Sequence, residues 1–403
     1  MKITNDHHRK IFISLFFICL AATLPSDLYV AGLPTISRVM KSSIYCSQLT
    51  VTIFLLGFAL AQFVYGPLSD HYGRKKIILV ALVIAVLGSI ICCFSNTIPI
   101  LLLGRFFQGL GASACLSIPR AILRDIFHGN RMSKNISYLS ACVETITAVS
   151  PFVGGYVVQH FSWQYNFYIL LFINIVTMAV VLVFLPETNL NTTNKILRFF
   201  EILNCYRKYI LNPGTLFYAL CGCIGYTNLM IYFTVSPFLL QNDLKISPQD
   251  YGFFTLFVSF SLVIGAVLNS KLVEHCGINK MILLSSALII FSGLLLFVGV
   301  FFSYLNMVLI IFSCIVAVIG SALLFANAIS GALTHIQKDI GIVSALYGGL
   351  QIGGSFFIIG FVIQLTSLSD MEKLAYTFSI LGIILFIATF VTMKFENAVH
   401  KRL

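Results

Sequence analysis

The chain has 403 residues, of which 59% are hydrophobic and only 10% charged, and it carries a net charge of +11 with a mean hydropathy of +0.97. A water-facing globule carries about 25% charged residues, so a soluble domain is excluded. Apolar runs of about twenty residues recur along the chain, each long enough to cross a bilayer core as a helix, while the alternating strands of a membrane β-barrel are missing.

In chain order the apolar runs predict helices at about 11–32, 47–69, 76–94, 98–122, 136–158, 164–185, 213–240, 250–270, 280–302, 305–330, 340–366 and 373–394. The first lacks a small-residue cleavage site and reads as a helix that stays, not a removed signal peptide. Polar residues between the sixth and seventh helices divide the chain into a six-helix bundle at 1–186, a linker at 187–212 and a second six-helix bundle at 213–403. The fold class is therefore an all-α membrane protein of about twelve transmembrane helices.

Orientation follows from lysine and arginine, which collect on the cytoplasmic side of membrane proteins. With the amino terminus inside, twenty cations lie on the inner side and Arg38, Lys41, Lys245 and Lys373 on the outer. This predicts a cytoplasmic-membrane protein with both termini cytoplasmic, and explains the net charge without a nucleic-acid partner. The eleven cysteines mostly lie inside apolar runs and act as small hydrophobes. Cys221 and Cys223 have no ligand partner at metal spacing, so no metal site is expected.

The loop after the second helix reads "YGPLSDHYGRKK", Tyr65 to Lys76, and the loop after the eighth reads "SKLVEHCGINK", Ser270 to Lys280. An offset of 204 aligns Leu68 with Leu272, Asp70 with Glu274, His71 with His275, Gly73 with Gly277 and Lys76 with Lys280. The halves are thus parallel repeats, the architecture of the major facilitator fold. Asp70, four residues before Arg74, is placed to act as a charge latch between the cytoplasmic ends of the bundles. Gly66, Asp70, Gly73 and Arg74 are accordingly gating candidates.

"GPLSDHYGRKK" resembles the signature loop of the major facilitator superfamily, and the whole sequence resembles the Bcr/CflA group of drug–proton antiporters. The resemblance takes in "PSDLYVAGLP" (Pro25 to Pro34), "LLLGRFFQGLGAS" (Leu101 to Ser113), "SPFVGG" (Ser150 to Gly155), "SPFLLQ" (Ser236 to Gln241) and "SALYGGLQ" (Ser344 to Gln351). In the antiporter motif G-x-x-x-G-P-x-x-G-G, Ile146 and Ser150 replace the first two glycines, while Pro151, Gly154 and Gly155 remain as further gating candidates. The resemblance implies an antiporter with a proton-binding acid in helix 1 and an assisting arginine in helix 4.

Two acids, Asp27 and Glu144, lie well within predicted spans, and Arg105 is the one deeply placed cation. A mid-membrane charge costs about 2.5–3.5 kcal/mol on insertion scales, which marks each as a functional candidate. Asp27 is expected roughly 8 Å below the outer end of helix 1 and Arg105 roughly 10 Å down helix 4, so the two share a depth. They are read as a proton-coupling pair, against the alternative of a permanent ion pair fastening two helices. Glu144 is open between binding cationic cargo, carrying a second proton and reaching towards the cytoplasm. Tyr29, Gln108, Glu144, Asn228, Tyr232 and Asn327 are candidates to line a substrate cavity.

The expected function is export of an amphipathic drug or metabolite in exchange for protons by alternating access. A proton-coupled importer of a small nutrient on the same fold is the alternative. No nucleotide-binding loop is present, no acids, histidines or cysteines gather as in an enzyme site, and no filter sequence marks a channel. The expected partners are the cargo, protons and the lipid bilayer, with no cofactor and a monomeric chain.

Overall fold

In the computed structural model, residues 5–127, 129–189, 206–333 and 340–400 are described. Among them are twelve helices long and apolar enough to cross a membrane. Span 1 is Asn5–Asp27, a 3-10 turn at Val30–Gly32 and a short helix at Leu33–Val39. Spans 2 to 6 are Ile44–Tyr72, Arg74–Cys93, Ile98–Ile126, Gly129–His160 and Gln164–Phe184. Spans 7 to 12 are Pro213–Phe238, Pro248–Cys276, Ile278–Phe301, Met307–Leu333, Ile340–Gln364 and Asp370–His400. Most of the expected linker, residues 190–205, lies outside the described residues. An even number of crossings puts both chain ends on one face, here the terminal face; the other is the far face.

Local chemistry explains the starts and stops. Ser43 and Ser247 cap spans 2 and 8 by accepting the backbone N–H of Cys46 and Asp250, and Asn212 caps span 7 through Gly214 and Thr215. Pro213 and Pro248 open their helices, where the missing N–H costs nothing. Spans 2 and 3 are joined by Gly73 alone, at φ +100° and ψ 148°, and spans 8 and 9 by Gly277 alone, at φ +78° and ψ 161°. That region is essentially open only to glycine. The two one-residue turns are 204 positions apart, so the offset read from the sequence is also a repeat of backbone conformation.

Packing repeats in the same way. Span 1 packs on spans 4, 5 and 6, span 4 on spans 2 and 3, and span 3 on span 6. Adding six to each number gives the second half: span 7 on 10, 11 and 12, span 10 on 8 and 9, and span 9 on 12. Between the halves, span 5 packs on span 8 and span 2 on span 11, two contacts that the same shift exchanges. Small residues bring these backbones together without side chains between them, as membrane helices require. A Cβ on Gly155 would overlap the Pro248 carbonyl oxygen, and one on Gly252 would lie 2.6 Å from that of Pro151.

Candidate functional site

Span 1 was expected as a single helix. Instead the first helix ends at Asp27, and the chain passes through a turn before Leu33–Val39 completes the crossing. The longer span changes the expected depth: Asp27 lies twelve residues before the span's end at Val39, rather than five before an end near Gly32. Asp27 is 1% exposed, and its Oδ1 has no hydrogen-bond partner. It also stands at the carbonyl end of its helix, where the helix dipole disfavours negative charge. Among the described residues no cation offsets these costs by direct contact.

Arg105, fully buried in span 4, does not form the ion pair that was one of the sequence-based alternatives. Its Nη1 donates to the Pro25 carbonyl at 2.7 Å and to Gln108 Oε1 at 2.8 Å, and its Nε donates to the Thr50 carbonyl at 3.3 Å. The guanidinium stacks over the rings of Tyr29 and Phe54, 4.1 and 4.5 Å from their centroids. Its Nη2 has no partner. Arg105 thus keeps one unused donor and Asp27 one unused acceptor, and the arginine holds the backbone two residues before the acid.

A chain of polar side chains holds Arg105 in place. Gln108 Nε2 donates to Ser89 Oγ in span 3 at 2.9 Å, and Asn174 Nδ2 in span 6 donates to the same hydroxyl at 3.2 Å. Tyr29 Oη and Thr50 Oγ1 are 3.2 Å apart. Tyr29 and Gln108 therefore pack inside the first half, around the arginine, instead of facing an open cavity. Thr50, Ser89 and Asn174 were not singled out from the sequence. Their signal was a polar side chain within an apolar run, weaker than the charges that were weighed.

The second half repeats part of this. Tyr232 Oη and Thr255 Oγ1 are 3.1 Å apart, matching Tyr29 and Thr50 at offsets of 203 and 205. Cys314 of span 10 is one neighbour of Tyr232, and Met307–Leu333 holds no lysine or arginine, so the hydroxyl pair is kept and the cation is not. Tyr232, Asn228 and Asn327 are buried within this half. Asn327 Nδ2 donates to Asn269 Oδ1 at 2.5 Å, whereas both polar atoms of Asn228 are unpartnered. Tyr226 and Tyr251 of the second half stand close enough to Asp27 to feel its charge. Glu144 is half-buried in span 5.

The antiporter-motif glycines connect the acid to the seam between halves. Gly154 lies so close to the Leu28 carbonyl, one residue beyond Asp27, that a Cβ would overlap it. Gly155 makes the same kind of approach to Pro248 of the second half. Pro151 stays within the helix and meets Gly252 across the seam. Near the terminal face, Gly66 faces the Ala345 side chain of span 11.

The expected inter-bundle latch takes a different form. Arg74, 4% exposed, pairs with Asp70 at 2.5 Å and with Asp125 at 3.1 Å, and donates to Ser69 Oγ at 2.7 Å. Glu187, just past span 6, accepts the backbone N–H groups of Arg74 at 2.8 Å and Lys75 at 3.1 Å. A carboxylate thus caps span 3, where orphan amides and the dipole favour an anion. Apart from Glu187, the first linker residue, these groups belong to the first half, so among the described residues the cluster ties spans 2, 3 and 4 to the start of the linker and makes no pair with the second bundle. Gly73→Ala is expected to lower stability by about 2–4 kcal/mol, from backbone strain plus displacement of Glu187 Oε2, 2.5 Å from the added Cβ. Gly277→Ala, with nothing within 4 Å, should cost only the strain. Thermal unfolding of both variants in detergent measures the difference.

A profile of the Major Facilitator Superfamily matches residues 11–360. The chain belongs to that superfamily. Among its relatives is an "Uncharacterized transporter" of Rickettsia felis, 27% identical over 397 residues, covering 94% of this chain and 96% of the relative. The "Bicyclomycin resistance protein homolog" of Haemophilus influenzae is 25% identical over 292 residues, covering 72% and 73%. "Multidrug resistance protein MdtL" of Shewanella oneidensis is 26% identical over 359 residues, covering 88% of each chain. The solved xylose transporter XylE from E. coli superposes with a TM-score of 0.76 at 12% identity, over 97% of this chain and 98% of that one, which shows the shared fold. As a superfamily member the protein is a multi-pass membrane transporter of small substrates.

Proposed function

We propose that this transporter exports small amphipathic compounds in exchange for protons, by alternating access, with Asp27 as the group that takes up and releases the proton. The observation that carries the reading is a carboxyl buried at a helix break, with one oxygen unpartnered and with no ion pair to the buried arginine that binds the backbone two residues away. Such a group is costly as a fixed structural element. It is useful if water from one side and then the other reaches it. The names of two relatives, for multidrug and bicyclomycin resistance, support drug-like cargo and export.

In the proposed cycle the halves, 1–186 and 213–403, move against each other as bodies around the span 5–8 and span 2–11 contacts, with residues 187–212 as their tether. Gly154 and Gly155 relay that motion, since one abuts the break at Asp27 and the next abuts the other half. Arg105 biases the carboxyl by its charge and supplies a free N–H when the break shifts. The excess of cations at the terminal face supports a cytoplasmic orientation of that face in a bacterial inner membrane, and a single chain contains both halves the cycle needs.

Expression in a drug-sensitive host tests the reading. The minimal inhibitory concentration of some amphipathic compounds should rise several-fold, and a protonophore should remove that protection. Unchanged tolerance together with proton-driven uptake of a nutrient into cells would overturn export.

A further inference from the structure

Arg120 takes part in none of the contacts described above. It lies in span 4, six residues before Ile126, hence about 9 Å inside the terminal face. The sequence grouped it with the loop cations, but the helix continues past it. Its side chain is exposed, and among the described residues no carboxylate pairs with it; Glu144 of span 5 does not. Its electrostatic neighbours are Cys19 of span 1 and Tyr347 of span 11, the latter from the other half.

Tyr347 is itself unusual. Its ring is buried, its hydroxyl has no hydrogen-bond partner, and it lies so close to Gly222 of span 7 that a Cβ there would overlap the oxygen. A buried polar group left unmet is costly. The groups gathered around these two residues are a guanidinium with five N–H donors, a phenol with its O–H unused, and the thiols of Cys19, Cys221 and Cys223. Among the described residues they offer donors and positive charge, and no acid.

We propose that Arg120 and Tyr347 form a subsite for an anionic group of the cargo, a carboxylate, sulfonate or phosphate, held between span 4 of one half and span 11 of the other. The planar fork of arginine suits such groups, binding two oxygens at once. The exposed guanidinium makes the first contact; the phenol, covered in this conformation, completes the site when spans 7 and 11 shift. The inference rests on the reading of the protein as an exporter of small amphipaths and adds that acidic members of that class are its cargo.

The test is binding of two dyes with one xanthene skeleton, anionic fluorescein and cationic rhodamine 123, to the full chain in phosphatidylcholine nanodiscs, read by fluorescence polarisation. Fluorescein should bind the wild type, about tenfold or more weakly the Arg120→Gln variant, and with intermediate strength the Arg120→Lys and Tyr347→Phe variants. Rhodamine 123 should bind Arg120→Gln at least as well as wild type, which also shows that the variant is folded. Absence of fluorescein binding to the wild type, equal fluorescein binding to Arg120→Gln, or loss of both dyes together would overturn the proposal. Discs containing phosphatidylglycerol form a second arm: abolished fluorescein binding there would assign the guanidinium to a lipid headgroup instead. No proton gradient is used, so failure here leaves Asp27 as the proton carrier, and failure of the Asp27 test leaves this subsite standing.

Discussion

Asp27→Asn is expected to abolish proton-driven transport, by a hundredfold or more in everted vesicles, while the protein remains folded and still exchanges cargo down its own gradient. Asparagine matches the carboxyl in shape and cannot titrate, so it removes the proposed proton site and little else. Stability should move the other way. The native side chain has an unpartnered buried oxygen at the negative end of a helix, and a neutral amide there is expected to gain about 1 kcal/mol. A raised melting temperature with lost proton coupling is the signature of a group kept for activity at a cost in stability. Retained proton-driven transport in the variant would remove Asp27 from the mechanism.

Gly154→Ala is the second large effect. The added methyl would overlap the Leu28 carbonyl, and backbone there cannot yield as the end of a flexible side chain could. Overpacking of this kind costs about 1–3 kcal/mol, occasionally more, and here the strain falls on the residue next to Asp27. Transport should drop at least tenfold, with a lowered melting temperature. Gly155→Ala loads the other side, wedging Pro248 of the second half, so its main effect should be a shifted balance between conformations, read from labelling of cysteines introduced at the far face. Val153→Ala, at an exposed neighbour, should do neither. Equal behaviour of all three variants would show that the glycines only fill space.

Much of this molecule was legible beforehand, and the reasons are physical. Lipid allows few spanning structures, so apolar runs gave twelve helices, and two similar loops gave the repeat that Gly73 and Gly277 realise in backbone angles. Charges within the membrane stand out because each is expensive, which picked out Asp27 and Arg105. Direction was harder to see. A helix apolar on every side has no polar face, so nothing told Tyr29 and Gln108 to pack around Arg105, or Asn228 and Tyr232 to stay inside the second half. Nor could the sequence assign Arg74 to Asp125 and Glu187, because partners drawn from the start of span 3, the end of span 4 and the segment after span 6 meet only after the spans are packed.

The paired hydroxyls in the two halves, Tyr29 with Thr50 and Tyr232 with Thr255, show what duplication left free to diverge. The same fastening survives with an arginine stacked on it in one copy and a cysteine beside it in the other. A scaffold whose joints hold with or without the charge can confine its ion chemistry to one lobe. If Asp27 carries the proton as proposed, the opposite lobe is free to reshape its interior for new cargo without disturbing that coupling.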